Sequence, residues 1–427
     1  MKKFLFLSLF ILANTLVAQK IIIHAGTLID GVSDKAQSEM SIVVEEDKII
    51  EVRKGYIAGS DGDQVIDMKA MTVMPGWIDM HVHIEGESSP DRYIRIFTEN
   101  PADVAFRAAE IAERTLMAGF TTVRDLGGSG VNVSLRNAIN RGLAVGPRIL
   151  TAEKALGVTG GHADPTNGYR NDLKGDPGPK EGVVNGIADA RKAVRQRYKN
   201  GADLIKITAT GGVLSVAKDG TGPHFQEDEI RAIVETAKDL GYHVAAHAHG
   251  DEGMQRAVRA GVKTIEHGTY MSEETMELMI KMDTYLVPTI SAGKEVMKKA
   301  EIPGYFPMVV AAKARVVGPQ IMDTFTKAYK KGVPIAFGTD AGVFKHGDNA
   351  GEFIYMVEGG MPAMKAIQSA TSVNALVLGM EDQIGQVKEG FIADLVAVNG
   401  NPLKDIKVVK DVVLVVKGGK VVRLSNK

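Results

Sequence analysis

Cysteine is absent from this chain of 427 residues. Its absence excludes a disulfide framework, a thiolate zinc site, a cysteine nucleophile and a lipid-modified cysteine, and it is compatible with an oxidising compartment. An excess of charge is also absent, since 51 Lys and Arg side chains face 52 Asp and Glu side chains. This balance favours neither nucleic acid nor an anionic membrane as a partner.

Long apolar runs are scarce, and the one at the N-terminus differs from the rest of the chain. Two lysines precede an apolar stretch over residues 4–17, which Ala18 follows. This order is typical of a secretory signal peptide, which we predict over residues 1–19. A membrane anchor is the alternative, but the run is shorter than the roughly 20 residues that spanning requires. We therefore expect a periplasmic or secreted protein with no membrane partner in its mature form.

The rest of the chain divides by its pattern of elements. Short β-strand patterns lie at both ends, within residues 20–75 and 388–427, and we predict that they pair into one composite β-sandwich domain. Over residues 76–387, strand, loop and helix patterns alternate, which predicts a (β/α)8 TIM barrel. A doubly wound open sheet is the alternative. It would need a Gly-rich phosphate turn, and residues 127–130 fit neither a P-loop nor a dinucleotide fingerprint.

Side chains that bind metals lie at the ends of successive predicted strands. His81 and His83 are two residues apart, so both point to one face of a strand and can bind one ion through neutral imidazole nitrogens. A single histidine in an apolar run is more often a core residue than a ligand. Six candidate ligands at the ends of successive strands are much harder to explain as core residues. Because strand ends meet at one face of a barrel, we predict a metal site there. Its ligands are His81, His83, Lys206, His247, His267 and Asp340.

Lys206 decides whether one ion or two are expected. Burial near cations lowers the pKa of a lysine and favours the neutral amine. A neutral amine can add carbon dioxide, and the resulting carbamate would bridge two metals as a carboxylate does. The alternative, which the residue by itself favours, is a lysine whose ammonium extends from the strand end into solvent.

A family resemblance changes this balance. The combination of H-V-H, D-L-I-K, H-A-H, E-H-G and G-T-D resembles the amidohydrolase superfamily, in its subtype with two metals and a carboxylated lysine. The resemblance extends over nearly the whole mature chain. In detail the chain is similar to the branch of Xaa-Pro dipeptidases and imidazolonepropionase-like amidohydrolases.

The resemblance implies two divalent ions and a hydroxide between them as the nucleophile. Zinc suits mixed nitrogen and oxygen ligands and is the expected metal, with manganese or cobalt as alternatives. Asp340 would orient that hydroxide, take its proton and deliver the proton to the leaving amine. The more buried metal would be held by His81, His83 and Asp340, the second metal by His247 and His267, and the bridge would come from carboxylated Lys206.

Two further histidines gain roles from the resemblance. His162, in T-G-G-H, matches a family position that helps to polarise the scissile carbonyl, so we expect it to be catalytic and to contact the substrate. Its alternative role is a loop histidine bonded to backbone. His249 shares strand parity with His247, so parity does not select the ligand. The resemblance selects His247, because relatives often carry tyrosine at the position of His249, and we assign His249 to substrate contact or to support of the ligands.

The other polar candidates are predicted to be structural. We expect structural roles for His24 and His243, solvated loops around His224 and His346, and an internal ion pair between Arg124 and Asp125 beneath the site.

Three functions remain open at this stage. The first is hydrolysis of the amide bond of a dipeptide or N-acyl amino acid, a small-molecule substrate, by a dipeptidase- or carboxypeptidase-like enzyme. The second is a one-metal cyclic-amide hydrolase or deaminase that resembles imidazolonepropionase, and Lys206 counts against it because those relatives lack the bridging lysine. The third is a non-catalytic binding or scaffold barrel, although such proteins usually lose ligands. The preferred amino acid is not determined, and a homo-oligomer is compatible with the sequence.

Overall fold

The computed structural model describes residues 19–218 and 220–425. Apart from Gln19, the predicted signal peptide lies outside the described residues. In chain order, the strands are β1 (Lys20–Leu28), β2 (Gln37–Glu45), β3 (Lys48–Lys54), β4 (Gln64–Pro75), β5 (Trp77–Val82), β6 (Phe120–Asp125), β7 (Arg148–Thr151), β8 (Ile205–Thr208), β9 (Val244–Ala248), β10 (Thr264–His267), β11 (Tyr285–Val287), β12 (Leu395–Asn399), β13 (Val412–Lys417) and β14 (Lys420–Leu424).

The helices alternate with the strands of the central region. They are α1 (Arg92–Thr98), α2 (Pro101–Met117), α3 (Val131–Asn140), α4 (Ile187–Asn200), α5 (Glu227–Asp239), α6 (Asp251–Ala260), α7 (Glu273–Met282), α8 (Ile290–Ala300), α9 (Met308–Lys331), α10 (Gly351–Glu358), α11 (Ala363–Gln368) and α12 (Asn374–Val377), with a π-helical turn at Ser369–Val373 and a 3-10 helix at Ile406–Lys410. Across the described ranges, we find no helix with both the length and the apolar character needed to cross a membrane.

The two ends of the chain form one seven-stranded sheet in the order β14-β13-β12-β4-β1-β2-β3. The ends pair as predicted, since β12 lies antiparallel to β4 with Leu395 opposite Pro75. All seven strands belong to one continuous sheet, where we predicted a sandwich. Bulges bend the sheet, and the β13–β14 turn at Gly419 lies directly against the backbone of Glu46 in the β2–β3 turn. One curled sheet therefore encloses its own core.

Alternation along the strands gives this sheet two apolar faces. Residues two apart on a strand share a face, and Leu395 and Ala397 pack into the sheet's own core while Val396 and Val398 pack into the core of the central region. The sheet is thereby attached to the region that carries the predicted site.

The central region contains two parallel sheets, β5-β6-β7 and β11-β10-β9-β8. Isolated parallel bridges connect their ends: Leu156 pairs with Ile207 beside β8, and the segment 334–341 pairs at Ile335 with β11 and at Ala341 with β5. The order and direction of these pairings agree with the (β/α)8 barrel that we predicted.

The eighth barrel segment, residues 334–341, makes only isolated bridges where the sequence predicted a strand. The carboxylate of Asp79 on β5 supplies acceptors for hydrogen bonds that regular strand pairing does not make here. It accepts hydrogen bonds from the backbone N–H of His81 at 3.0 Å and of Thr339 at 3.1 Å, and from the Thr339 hydroxyl at 2.7 Å. Asp340 follows with a positive φ of 58°, an uncommon conformation for a residue with a side chain. This break in regular pairing accompanies the inward position of Asp340.

Candidate metal centre

The six predicted ligands come together at the carboxyl ends of the barrel segments. The Nε2 atoms of His81 and His83 each lie 3.4 Å from Oδ1 of Asp340. The ring of His267 lies 5.1 Å from that of His81 and 4.7 Å from that of His247, centroid to centroid. Lys206 is buried on β8, where Thr208 pairs with His247 of the neighbouring strand β9. Residues from five barrel segments therefore converge on one region.

Each of the four histidines predicted to be ligands has one ring nitrogen hydrogen-bonded to an oxygen. His83 Nδ1 lies 2.8 Å from the Gly127 carbonyl, and His247 Nε2 lies 3.0 Å from the Gly211 carbonyl. Because a carbonyl only accepts, those nitrogens carry the proton, and the opposite nitrogen of each ring is left with a lone pair. His267 Nδ1 lies 2.7 Å from the Thr289 hydroxyl, which orients that ring; a hydroxyl both donates and accepts, so this contact leaves either tautomer open.

A carboxylate that we did not predict lies behind His81. Glu266 is fully buried, and its Oε2 lies 2.9 Å from His81 Nδ1. Alternation would place consecutive strand residues on opposite faces, yet Glu266 and His267 both contact His81. The positive φ of His267, 73°, accounts for the difference. Its position in the E-H-G motif was the only sequence signal for Glu266.

The predicted ion pair between Arg124 and Asp125 is wrong. Arg124 donates to Glu266 Oε1 at 2.8 Å and to the Met80 carbonyl at 2.7 Å. Asp125 instead accepts hydrogen bonds from Thr151 and from Asn132. The physical reason is again alternation, because adjacent residues on β6 point in opposite directions.

The electrostatics of the centre favour neutral nitrogen ligands. Burial lowers the pKa of His83 to about 4, and it holds the pKa values of His81, His247 and His267 well below their ordinary range. Neutral imidazole is the form that binds metals. Burial also lowers the pKa of Lys206, and within residues 19–218 and 220–425 no carboxylate lies within 4.0 Å of its Nζ.

The remaining ligand, Asp340, shows the opposite shift. Burial raises the pKa of its carboxyl group above the ordinary value, and its buried Oδ1 makes no hydrogen bond within the described chain. A divalent cation beside Oδ1 would compensate this carboxylate. Lone pairs on neutral imidazoles, a lysine whose pKa burial lowers to about 8, and a buried aspartate with no hydrogen bond at Oδ1 together fit the binding of divalent metals.

The two histidines assigned to the substrate lie against the ligands. The His162 ring stacks on that of His247 with centroids 4.4 Å apart, and its buried Nδ1 makes no hydrogen bond in the part of the chain that the structure describes. His249 is buried, stacks on His267 and has its Nδ1 2.7 Å from the Thr269 hydroxyl. The donor atoms of His247, His249 and His267 all lie within 4.8 Å of one another. The choice of His247 over His249 as ligand stays a prediction.

Of the remaining histidines, two differ from expectation. His346 is buried rather than solvated: its Nδ1 lies 3.1 Å from the Thr115 hydroxyl and its Nε2 lies 3.2 Å from the carbonyl of His83. His224 is half-buried, and its Nδ1 lies 3.3 Å from the backbone nitrogen of His162. Both loops fold back onto the site. Neither histidine belongs to a spacing pattern in the sequence, so no sequence signal indicated this position.

His24 and His243 have the structural roles that we expected. His24 Nε2 lies 2.8 Å from the Ile57 carbonyl in the terminal sheet, and His243 Nε2 lies 3.3 Å from Arg124 Nη1.

The site and fold define a class of protein. The chain belongs to the amidohydrolase family, whose model matches residues 72–422, and it is a hydrolase that acts on amide bonds. It is similar to the crystal structure of a Xaa-Pro dipeptidase with methionine bound in the active site (54% identity, TM-score 0.92, 95% of this chain and 100% of that one). It is also similar to the crystal structure of a prolidase complexed with N-methylphosphonate-L-proline, with 35% identity and a TM-score of 0.87 over 95% of this chain and 100% of that one. Ochratoxinase of Aspergillus niger is 32% identical over 96% of this chain and 88% of the relative.

Proposed function

We propose that this protein hydrolyses the amide bond of dipeptides or N-acyl amino acids and releases a free amino acid. We also propose that its central region is a closed (β/α)8 barrel. The similarity to a structure that holds methionine in its active site supports an amino acid as product. The ligand of the similar prolidase carries a tetrahedral phosphorus on the nitrogen of proline, which is the shape of an amide under attack by water.

The metal centre in this proposal contains two divalent ions, for which zinc suits the imidazole and carboxylate ligands. His81, His83 and Asp340 would hold one ion, His247 and His267 the other, and a carbamate on Lys206 would join them. When bound, the metals would lower the pKa of a water molecule and polarise the scissile carbonyl.

The protein's own residues supply the proton transfers and orientation. Asp340 would accept the proton of the attacking water and pass it to the nitrogen of the leaving amino acid. His162, whose Nδ1 has no partner in the described chain, would donate from its ring to the carbonyl oxygen as negative charge develops there.

The observation that carries this proposal is the environment of Lys206. It is buried, its charge acts on His81, His83, His247 and His267 alike, and it has no carboxylate within 4.0 Å in the described residues, so its amine is near the ligands of both proposed metals. A one-metal centre would have no use for a buried lysine in this position.

The proposal is tested by metal analysis and a substrate panel. Protein loaded with zinc in bicarbonate should bind about two equivalents, as in two-metal hydrolases, and should cleave Xaa-Pro and Xaa-Met dipeptides or N-acyl amino acids. Lys206→Ala should bind fewer equivalents and lose turnover. Lys263→Ala is the matched control, because Lys263 lies 3.0 Å from Asp283 on the barrel exterior.

Other outcomes would select the other functions. Saturation at one equivalent with opening of cyclic amides would favour the imidazolonepropionase-like activity. Metal-loaded protein that cleaves no amide in the panel would favour a binding barrel. If the predicted signal peptide is removed on export, the reaction takes place outside the cytoplasm.

A further inference from the structure

The loop that follows β8, residues 211–218, covers one side of the metal centre, and we call it the roof loop. Its Gly211 carbonyl is the acceptor for Nε2 of His247, at 3.0 Å. Gly212 lies so close to His162 that a Cβ at this position would be 2.3 Å from the imidazole ring. The backbone of the roof loop therefore determines the positions of two histidines of the site.

The roof loop has no helix or strand of its own, so its carbonyl groups depend on side chains from elsewhere. The Lys313 ammonium, on α9, donates to the carbonyls of Gly212, Ser215 and Ala217 at 2.7, 2.8 and 2.8 Å. Tyr93, on α1, donates to the carbonyl of Leu214 at 3.1 Å. Two helices thus hold the loop from outside the barrel.

A cation is needed at the position of the Lys313 ammonium. Three carbonyl dipoles that point at one place repel one another unless a positive charge lies between them. An ammonium provides three N–H donors and a full charge, so it satisfies all three carbonyls at once. A neutral side chain there would leave the carbonyls to turn away, and the adjacent Gly211 and Gly212 would turn most easily, because glycine has the widest backbone freedom.

We propose that Lys313 is a positioning residue for the active site. Its ammonium fixes the roof loop so that the Gly211 carbonyl holds the proton of His247 on Nε2 and Gly212 supports the ring of His162. The catalytic part of this inference rests on the proposed function, whereas its structural part does not.

The absence of cysteine from the chain gives a selective test. In a Lys313→Cys variant, bromoethylamine attaches an aminoethyl group to the single thiol and restores an ammonium on a chain of nearly the original length. Iodoacetamide attaches a neutral group of similar size. Lys327→Cys, treated identically, is the matched control, since Lys327 lies on the same helix and is 2.7 Å from Asp323 on the exposed face.

Two measurements on the metal-free protein do not depend on activity. Hydrogen–deuterium exchange over residues 205–218 reports the stability of the roof loop. The ring nitrogen shifts of ¹⁵N-labelled histidine, assigned with a His247→Asn variant, report which nitrogen of His247 carries the proton. We expect slow exchange and an Nε2-protonated His247 in the unsubstituted and aminoethylated proteins. The neutral adduct should show faster exchange and mixed tautomers.

On the metal-loaded protein, the neutral adduct should lower kcat by about 10–100-fold, the usual effect of losing a partner of a metal ligand. KM should change by less than about threefold, because the Lys313 ammonium donates to three carbonyls of the roof loop. Aminoethylation should restore kcat. Lys313→Met should reproduce the neutral adduct without chemical treatment.

The proposal is overturned if the neutral adduct keeps the unsubstituted protein's exchange and tautomer. It is also overturned if exchange alone increases while the His247 tautomer and kcat are unchanged, since Lys313 would then only stabilise the loop. Should the unsubstituted protein cleave no amide, the proposed function fails, and exchange and tautomer still decide whether Lys313 positions His247.

Discussion

Replacement of Glu266 by glutamine tests whether the carboxylate behind His81 sets the proton position of that ligand. Oε1 of Glu266 accepts from Arg124 at 2.8 Å, and Oε2 lies 2.9 Å from His81 Nδ1. Glutamine can keep one oxygen towards Arg124, but it then presents an N–H group to His81 Nδ1. Two donors cannot share a hydrogen bond, so His81 must carry its proton on Nε2. That nitrogen is the one facing Asp340, and once it is protonated its lone pair is no longer available to bind a metal.

The size of the effect follows from these contacts. Loss of the partner behind a ligand histidine usually costs about 10–100-fold in metal affinity. A hydrogen bond to a charged group contributes about 1.5–3 kcal/mol, so the free energy of unfolding should fall by about that amount. Glu266→Ala should cost more, about 3–5 kcal/mol, because it leaves the fully buried guanidinium of Arg124 without its anion. Comparison of the two variants therefore separates the loss of metal affinity, which both should show, from the loss of folding stability, which should be larger in Glu266→Ala.

Metal affinity is measured by competition with a chromogenic chelator, and stability by urea unfolding of the metal-free protein. The matched control is Glu252→Gln, since Glu252 forms an exposed pair with Arg256 at 2.9 Å and should change neither quantity. If Glu266→Gln binds metal with the affinity of the unsubstituted protein, the carboxylate does not set the tautomer of His81, and the reasoning fails.

Three further predictions concern two residues of the centre and the structural residue His243. Asp340→Asn keeps the shape of the side chain but cannot accept a proton, so kcat should fall by about 10²–10⁴-fold with an unchanged circular dichroism spectrum; near-normal turnover would remove Asp340 from the mechanism. His249→Ala should raise KM and narrow the preference for a free over an amidated substrate carboxylate while both metals are retained; loss of metal here, with retention in His247→Ala, would show that the two ligands are reversed. Burial, with a smaller contribution from Arg124, lowers the pKa of His243 to about 3. The folded state therefore binds fewer protons than the unfolded state below pH about 6.5, and stability is lost as the pH falls from there towards about 3. His243→Gln should reduce this slope by up to about 1.4 kcal/mol per pH unit in urea unfolding of the metal-free protein; equal slopes would contradict the assignment.

The sequence by itself predicted which residues converge at the centre, because two regularities convert position in the chain into position in space. Alternation along β5 places His81 and His83 on one face, and parallel barrel strands bring their carboxyl ends together. Lys206, His247 and His267 follow from the same rules, since each lies in or at the end of its strand. The pairing of the chain ends was also predictable, because both ends carry strands and the region between them does not.

The tertiary structure decided the contacts behind the ligands, since these join residues far apart in the chain. Glu266 lies 185 positions from the His81 ring that it contacts, and 142 from Arg124, so no local pattern indicates either partner. Alternation on β6 rules out Asp125 as the partner of Arg124, but it does not identify Glu266. The buried position of His346 likewise depends on where its loop returns to the barrel. The proton on the rings of His81, His83 and His247 is set by the carboxylate or carbonyl oxygen that faces each ring, and only the folded chain brings that oxygen to the ring.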